Sequence, residues 1–402
     1  MGGGWVDLVL AGLALILAAW CGLLALFARP LVARWREPVF RCPLLILESD
    51  DWGAGPMAQA DALRRILEML ETFRDGHGRA PVMTLGMIFE VPNTDRMAHE
   101  NAAVYHKLAL DDDRFREIRD AIDAGVRAGV FEPQLHGQCH YWPDALMAAA
   151  RCDRAVRDWM TACGLPRTER LPSQLQSRWV DASALPSWPL LDNMINGAVA
   201  AEAVTFHAQF GRLPRVAVAT TFVWTAAVEA AWHRADVEVV ITPGRRATSR
   251  DATGKPAGVD RTMLTGESSD SGQCYLVRDV YFEPALGHAP ERLVTGLATR
   301  TEQGRACLVE MHRFNFLDRP DESLAGLREA ITRALARFPE LRFVTPLELA
   351  HAIRDHNPEL VETSKRRRLK AWLQRLAEIP RFTRLSRMTG FAFPLQLLQR
   401  VV

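Results

Sequence analysis

The feature that most restricts the fold is a rhythm running from about residue 38 to about residue 358. Short apolar, β-rich runs alternate there with longer amphipathic stretches. The runs lie at 44–47, 82–85, 131–135, 216–222, 237–242, 306–311 and 342–344. Helical patterns fill most of the intervals, at 58–73, 113–128, 225–234, 290–302 and 322–338. Strands that alternate with helices become parallel, because each crossover helix returns the chain to the same end of the sheet. The chain is therefore expected to be α/β, and seven such strands suit an incomplete barrel as well as an open sheet. Residues 244–284 break the rhythm with Gly, Ser, Thr and Asp and read as an insertion, in which 275–282 alternates like a hairpin strand. There is no internal repeat and no long low-complexity tract.

The two ends have a different character. Residues 8–27 carry no charge over 20 positions, enough for one helix to cross a bilayer. A secretory signal would need a positive segment before the apolar run, and Asp7 stands there instead. Residues 1–30 therefore read as an uncleaved single-pass anchor. Arg29, Arg34, Arg36 and Arg41 all follow it, so the positive-inside rule puts the body of the protein in the cytoplasm. At the other end, residues 359–402 form a basic tail. From Lys365 to Arg400 there are ten Lys/Arg and one acid, Glu378, a local charge of +9 in a chain whose net charge is +1. Leu369, Trp372, Leu373 and Leu376 recur there at helical spacing, which fits an amphipathic helix on an anionic membrane surface. The membrane is the nearer polyanion, so no nucleic acid partner is expected. Seven cysteines without a repeating spacing do not form a disulfide framework and agree with a reducing compartment.

Chemistry concentrates at three strand ends, where parallel folds place their sites. In Glu48-Ser49-Asp50-Asp51-Trp52-Gly53, adjacent carboxylates end an apolar strand and a glycine turns the chain. Paired acids repel, so keeping them together calls for a cation or a task that separates their protonation states. In His136-Gly137-Gln138-Cys139-His140, two imidazoles at i and i+4 would share one face of a helical turn and bind one ion. Cys139 would point away from them. Imidazoles with a carboxylate suit zinc or another first-row divalent metal. In Leu308-Val309-Glu310-Met311-His312, a late strand delivers a histidine whose ordinary pKa suits proton transfer near neutral pH.

Together these segments resemble the polysaccharide deacetylases (NodB-homology, carbohydrate esterase family 4). The Asp50-Asp51 segment is similar to that family's first motif, with Trp52 inserted before the glycine. His136 and His140 match its His-x-x-x-His motif, and His312 matches its late strand ending in histidine. The resemblance spans roughly residues 43–350. It implies an incomplete (β/α)7-type barrel over residues 38–358, a divalent metal on Asp51, His136 and His140, Asp50 as general base and His312 as general acid. It also implies loss of an N-acyl group from an amino-sugar in a polysaccharide or lipid-linked glycan. With a cytoplasmic domain, the suited substrate is an acylated sugar on a polyprenyl lipid at the inner leaflet. Trp52, Trp142, Trp179 and Trp224 lie near the motifs and are candidates for stacking on sugar faces.

One departure stands out. The family carries an arginine at the end of a middle strand, where it orients the catalytic Asp, whereas residues 215–224 end Ala-Thr-Thr-Phe-Val-Trp. Arg178 is the candidate substitute. The missing arginine leaves open a catalytically inactive, membrane-tethered glycan-binding barrel. A glycosidase on a related barrel is a further alternative, with Glu90 or Glu132 as partner to Asp50. Gly53-Ala54-Gly55-Pro56-Met57-Ala58 also fits a dinucleotide-binding fingerprint, but Asp50 and Asp51 beside it would repel a pyrophosphate.

Overall fold

The computed structural model describes residues 3–401. Residues 1, 2 and 402, the outermost positions of the anchor and tail, lie outside the described residues. Nine parallel strands form the main sheet: β1 (Leu44–Gly53), β2 (Met83–Ile88), β3 (Phe131–Leu135), β4 (Val216–Val218), β5 (Val239–Thr242), β6 (Cys274–Val277), β7 (Val280–Tyr281), β8 (Cys307–His312) and β9 (Arg342–Phe343). Their spatial order is β6-β5-β4-β3-β2-β1-β8-β7, with β9 added on β1. The edges of this path, β6 and β7, are separated in the chain by Arg278 and Asp279 alone. Three residue steps span at most about 11 Å. Eight flat strands at about 4.8 Å spacing would hold the edges roughly 34 Å apart. The sheet must therefore curl until its edges nearly meet, which makes it an incomplete barrel.

The alternation of side chains sorts the two faces. Leu44 and Ile46 of β1, Val216 and Val218 of β4, Val239 and Ile241 of β5, and Leu308 of β8 pack in one inner cluster. Leu349 and Ala350, from the helix Pro346–Arg354, join that cluster and plug the end where the strands begin. The opposite faces, with Leu45, Leu47, Leu85, Phe131, Val240 and Val309, pack against surrounding helices in a larger outer core. The helices Gln59–Leu70, Arg116–Arg127, Glu291–Glu302 and Pro320–Arg337 occupy the stretches expected of them.

Two expectations change. Residues 275–282 do not form a hairpin strand. They are β6 and β7, which pair in parallel with β5 and β8 and seal the two sides of the barrel seam. Only Arg245–Arg250 and Pro256–Thr262 form an antiparallel hairpin in the Gly/Ser-rich stretch. The run 216–222 stops as a strand at Val218, because Thr221 and Phe222 adopt positive φ (52° and 56°). That conformation is foreign to strands and costly for β-branched and bulky side chains.

Outside the barrel, α1 (Gly3–Leu26) is followed at Phe27 by α2 (Ala28–Arg36). Within α1, Val6–Leu26 has a mean hydropathy of 2.5 and is long and apolar enough to cross a membrane. The tail folds into α3 (Lys365–Arg375), α4 (Pro380–Met388) and α5 (Ala392–Val401). The apolar face of α3, expected to lie on lipid, is instead covered by protein. Leu373 and Leu376 pack with Leu23 and Leu31, and Trp372 donates to Leu31 O at 2.9 Å. Arg375 is fully buried and donates to Gln303 O, Pro38 O and Glu37 O, tying the tail to the segments that lead into β8 and β1.

Candidate metal centre and its pocket

All three motifs arrive at the C-terminal ends of the strands. Asp50 and Asp51 would alternate faces on a regular strand. Here Asp51 has φ 76° and the β1/β2 register shifts between Ser49 and Trp52, so both neighbouring carboxylates turn toward one pocket. Space for Asp50 comes from Gly86 on β2, where a Cβ would stand 2.4 Å from Asp50 Oδ1. On the other side Asp50 pairs in register with His312 of β8.

His136 and His140 lie in a loop after β3 rather than on a helical turn, because Gly137 at φ 106° breaks any helix. The loop nonetheless brings both rings to Asp51. His136 Nε2 and His140 Nε2 stand 3.4 and 3.2 Å from Asp51 Oδ1, and all three residues are buried. Ligands at about 2.0–2.1 Å in tetrahedral directions around one ion are separated by about 3.3–3.4 Å. The spacing fits a shared cation. Two further details agree. His136 Nδ1 lies 3.1 Å from Val218 O, which fixes its proton there and leaves Nε2 as the free lone pair. Asp51 Oδ1 and His136 Nε2 are buried without hydrogen-bond partners, an expensive arrangement unless a cation lies between them. Burial pushes the Asp51 carboxyl up, but the imidazoles outweigh it and hold it well below its ordinary value. Burial lowers His140 to about 4 despite Asp51, so its ring is a neutral donor. Cys139 is not part of the set: its thiol is buried, pushed up to about 12, and donates to Tyr141 O.

Two residues that the motifs do not reveal act on the pocket, which is about 450 Å³: one lines it and the other bonds His312 from behind. Arg278, in the seam between β6 and β7, reaches inward and donates to Asp50 Oδ2 at 2.7 Å, with its Nε 3.7 and 3.5 Å from Glu48 and Glu310. Phe222 stacks 5.1 Å from the guanidinium. Burial raises the Asp50 carboxyl, but Arg278 together with His136 and His312 more than offsets this and holds it below its ordinary value. Burial wins at Glu48, which rises to about 7 even though Arg278 opposes it. The second residue is Glu283. Its Oε1 lies 2.6 Å from His312 Nδ1, while Asn315 donates to its other oxygen. Burial alone would lower His312, but the Glu283 bond and charge raise it to about 10, so the ring is an imidazolium at neutral pH. Both residues end or follow apolar runs, Tyr275-Leu276-Val277-Arg278 and Val280-Tyr281-Phe282-Glu283. That is the same strand-end pattern that exposes Asp50 and His312.

The other candidates fall elsewhere. Arg178 is buried against Glu202 (3.3 Å), with its guanidinium 5.2 Å from the Trp142 ring, and does not line the pocket. The arginine that stands beside Asp50 is Arg278. Trp52, Trp179 and Trp224 are at most 1% exposed in the outer core, so they have no face to offer a sugar. Trp142 is half-buried beneath Arg178 and also lies outside the pocket. Phe222, Tyr281 and Phe314 are the aromatic residues that line it. Glu90, bonded to Lys107, and Glu132, bonded to Arg212, do not reach it.

No family model and no curated protein matches the chain. Among solved structures, one similar to it is a protein of Mycobacterium smegmatis assigned to the polysaccharide deacetylases. It shows 11% identity and a TM-score of 0.43 over 80% of this chain and 94% of that one. A family 4 carbohydrate esterase from Streptomyces lividans shows 12% identity and a TM-score of 0.35 over 77% and 99%. A family 4 pseudoenzyme from Bacillus anthracis shows 13% and 0.37 over 77% and 66%.

Proposed function

We propose that this chain is a membrane-anchored, metal-dependent hydrolase that removes an N-acyl group from an amino-sugar of a polysaccharide or lipid-linked glycan. The observation that carries this reading is one pocket holding three separate functions. Asp51, His136 and His140 offer converging ligand atoms, Asp50 is an ionised base beside them, and His312 is a protonated acid in register with Asp50.

Asp51, His136 and His140 would hold a divalent cation, zinc or another first-row metal, which would supply Lewis acidity for the acyl carbonyl. Arg278 holds the Asp50 carboxylate in place, where it removes a proton from the attacking water as the C–O bond forms. His312 gives its Nε2 proton to the amine nitrogen as the C–N bond breaks, and Glu283 stabilises the imidazolium until that moment. The products are a carboxylate and a free amine. The inactive glycan-binding alternative drew its support from a missing arginine, and Arg278 supplies one. The glycosidase alternative loses Glu90 and Glu132 as partners for Asp50, since neither lines the pocket.

The test is acetate release from an N-acetylated amino-sugar oligomer by the full chain in detergent. Asp50→Asn and His312→Ala should each abolish release while keeping the metal. Full activity in Asp50→Asn would refute the reading. For sidedness, we infer a cytoplasmic domain from the arginines that follow α1. A fluorescent protein fused to the C-terminus should mature and alkaline phosphatase should stay silent; the reverse would move the substrate to an exported polysaccharide.

A further inference from the structure

We propose that the tail is a second membrane element: α4 and α5 form a helical hairpin that dips into one leaflet beside α1, with basic residues set for anionic headgroups. The proposal rests on reading α1 as a membrane span. Two contacts fix its depth. Phe382, at the start of α4, packs its ring 5.6 Å from Phe27, where the apolar span ends. Phe391, between α4 and α5, packs 5.3 Å from Trp20, and Trp20 Nε1 donates to Thr389 O at 2.9 Å. Trp20 lies six residues before Leu26, which at about 1.5 Å per residue is about 9 Å inside the span. From Phe382 to Thr389 and from Phe27 to Trp20 the chain advances seven residues each. α4 therefore runs antiparallel beside α1, from the level of its end to a point well inside. Helix α5 climbs back: Gln399 donates to Leu373 O and Arg366 to Val401 O, both at α3.

The surface of this hairpin matches that depth. Met388 and Phe393 are 72% and 67% exposed, and Leu397 and Leu398 keep 45% and 37% of their surface open. An apolar set of this size in water is costly, and at the boundary between headgroups and acyl chains it is the expected face of an interfacial helix, which sinks about 5–10 Å. Arg381, Arg384 and Arg387 recur every third residue on α4, so they share one side, and their long stems let the charges reach the headgroup level. Both segments are helical, so their backbone groups are largely satisfied among lipid. This differs from a tail lying on the membrane through α3, whose apolar face is already occupied by α2.

The test uses the full chain in vesicles of phosphatidylcholine and phosphatidylglycerol that contain a phospholipid with a photoactivatable diazirine in its acyl chain. After irradiation and trypsin, adducts should appear on the α1 peptide and on residues 388–400, which lie between Arg387 and the cleavage at Arg400. Labelling of residues 388–400 should exceed by at least about tenfold that of residues 279–292, an internal control that carries the exposed Leu286 of the barrel. Labelled α1 with an unlabelled 388–400 would overturn the proposal and leave the anchor intact. If neither peptide is labelled, the anchor reading falls as well. Replacing phosphatidylglycerol by phosphatidylcholine should lower the 388–400 signal severalfold without changing α1; an equal signal would remove the headgroup role of the arginines.

Discussion

Replacing Arg278 by methionine keeps most of the side-chain volume and removes the guanidinium placed among Asp50, Glu48 and Glu310. Asp50 and Glu48 are at most 1% exposed, so neither can recover its lost partner from water. Leaving buried charges uncompensated in this way costs about 3–5 kcal/mol. The variant can relieve part of that cost by taking up protons, which makes the loss depend on pH. Glu48 already sits near 7 in the native pocket, above its unfolded value, so the native state binds the extra proton. Stability from a carboxyl raised in this way falls as pH rises between the two values. Without Arg278, Asp50 loses the strongest influence that depresses it and takes up a proton more readily. The difference between wild type and variant should therefore be largest near pH 8 and shrink toward pH 5. Urea unfolding of the metal-free full chain in detergent, followed by the fluorescence of the buried tryptophans, measures it. A loss below about 1 kcal/mol at pH 8, or the same loss at both pH values, would refute the reasoning. Arg278→Lys should restore part of the stability but little activity, because a point charge cannot reproduce the guanidinium geometry.

Three further outcomes are expected. Purified protein should carry about one divalent ion per chain, and His140→Ala should lose it by elemental analysis; equal metal in both would end the assignment. Glu283→Gln should move the alkaline limb of kcat/KM from near 10 toward neutral, because the partner that raises His312 is gone, with metal content unchanged. The stability that pair contributes is present below the unfolded histidine value and lost through the raised one, so variant and wild type should converge in strong alkali. Thr221 holds φ 52° at the pocket wall, and Arg250 donates to its hydroxyl at 2.8 Å. Thr221→Val and Thr221→Gly both lose the hydroxyl's bonds, which also reach Ser177 Oγ and Gln176 O, but only glycine relieves the strain, so the glycine variant should be more stable than the valine one by about 1–2 kcal/mol in the same unfolding assay.

The parts of this molecule that could be read from its sequence are those governed by local rules. The apolar run before Asp50-Asp51 is β1, and a late apolar run does deliver His312, because burial on both faces leaves a parallel strand few polar options. The spacing of His136 and His140 was legible while its cause was not. A helical turn explains i and i+4, but here a glycine-led loop makes the same approach, and side-chain spacing cannot tell the two apart. The tryptophans misled because proximity in sequence to a motif says nothing about which face of the strand a ring takes. Arg278 was hidden for a deeper reason. It lies 228 residues from Asp50 in the chain, inside a Gly/Ser-rich stretch, and meets Asp50 only because the sheet curls. Curvature is a property of the whole sheet, and no local pattern encodes it.

That same curvature links stability to chemistry. A middle-strand arginine would orient Asp50 from within the sheet and leave the seam to close by other means. Here the residue that pairs with Asp50 is also one of the two that join the edge strands, and its neighbour Asp279 faces the other way to Arg300 at 3.0 Å. Arg300 and Arg305 both bond Glu378 of the tail, and Arg305 holds Glu37 beside α2. Charged pairs thus lead from Asp50, across the seam, to the elements that pack on α1. Salt bridges this well buried contribute little net stability, but losing one partner is costly, so they favour a single arrangement over loose alternatives. The seam is where an incomplete barrel is free to vary its width, and Asp50 tolerates little variation in the reach of its partner. Fixing the seam with the cation that pairs with Asp50 meets both requirements with one side chain. It also explains why an arginine absent from the middle strand does not leave the pocket without one.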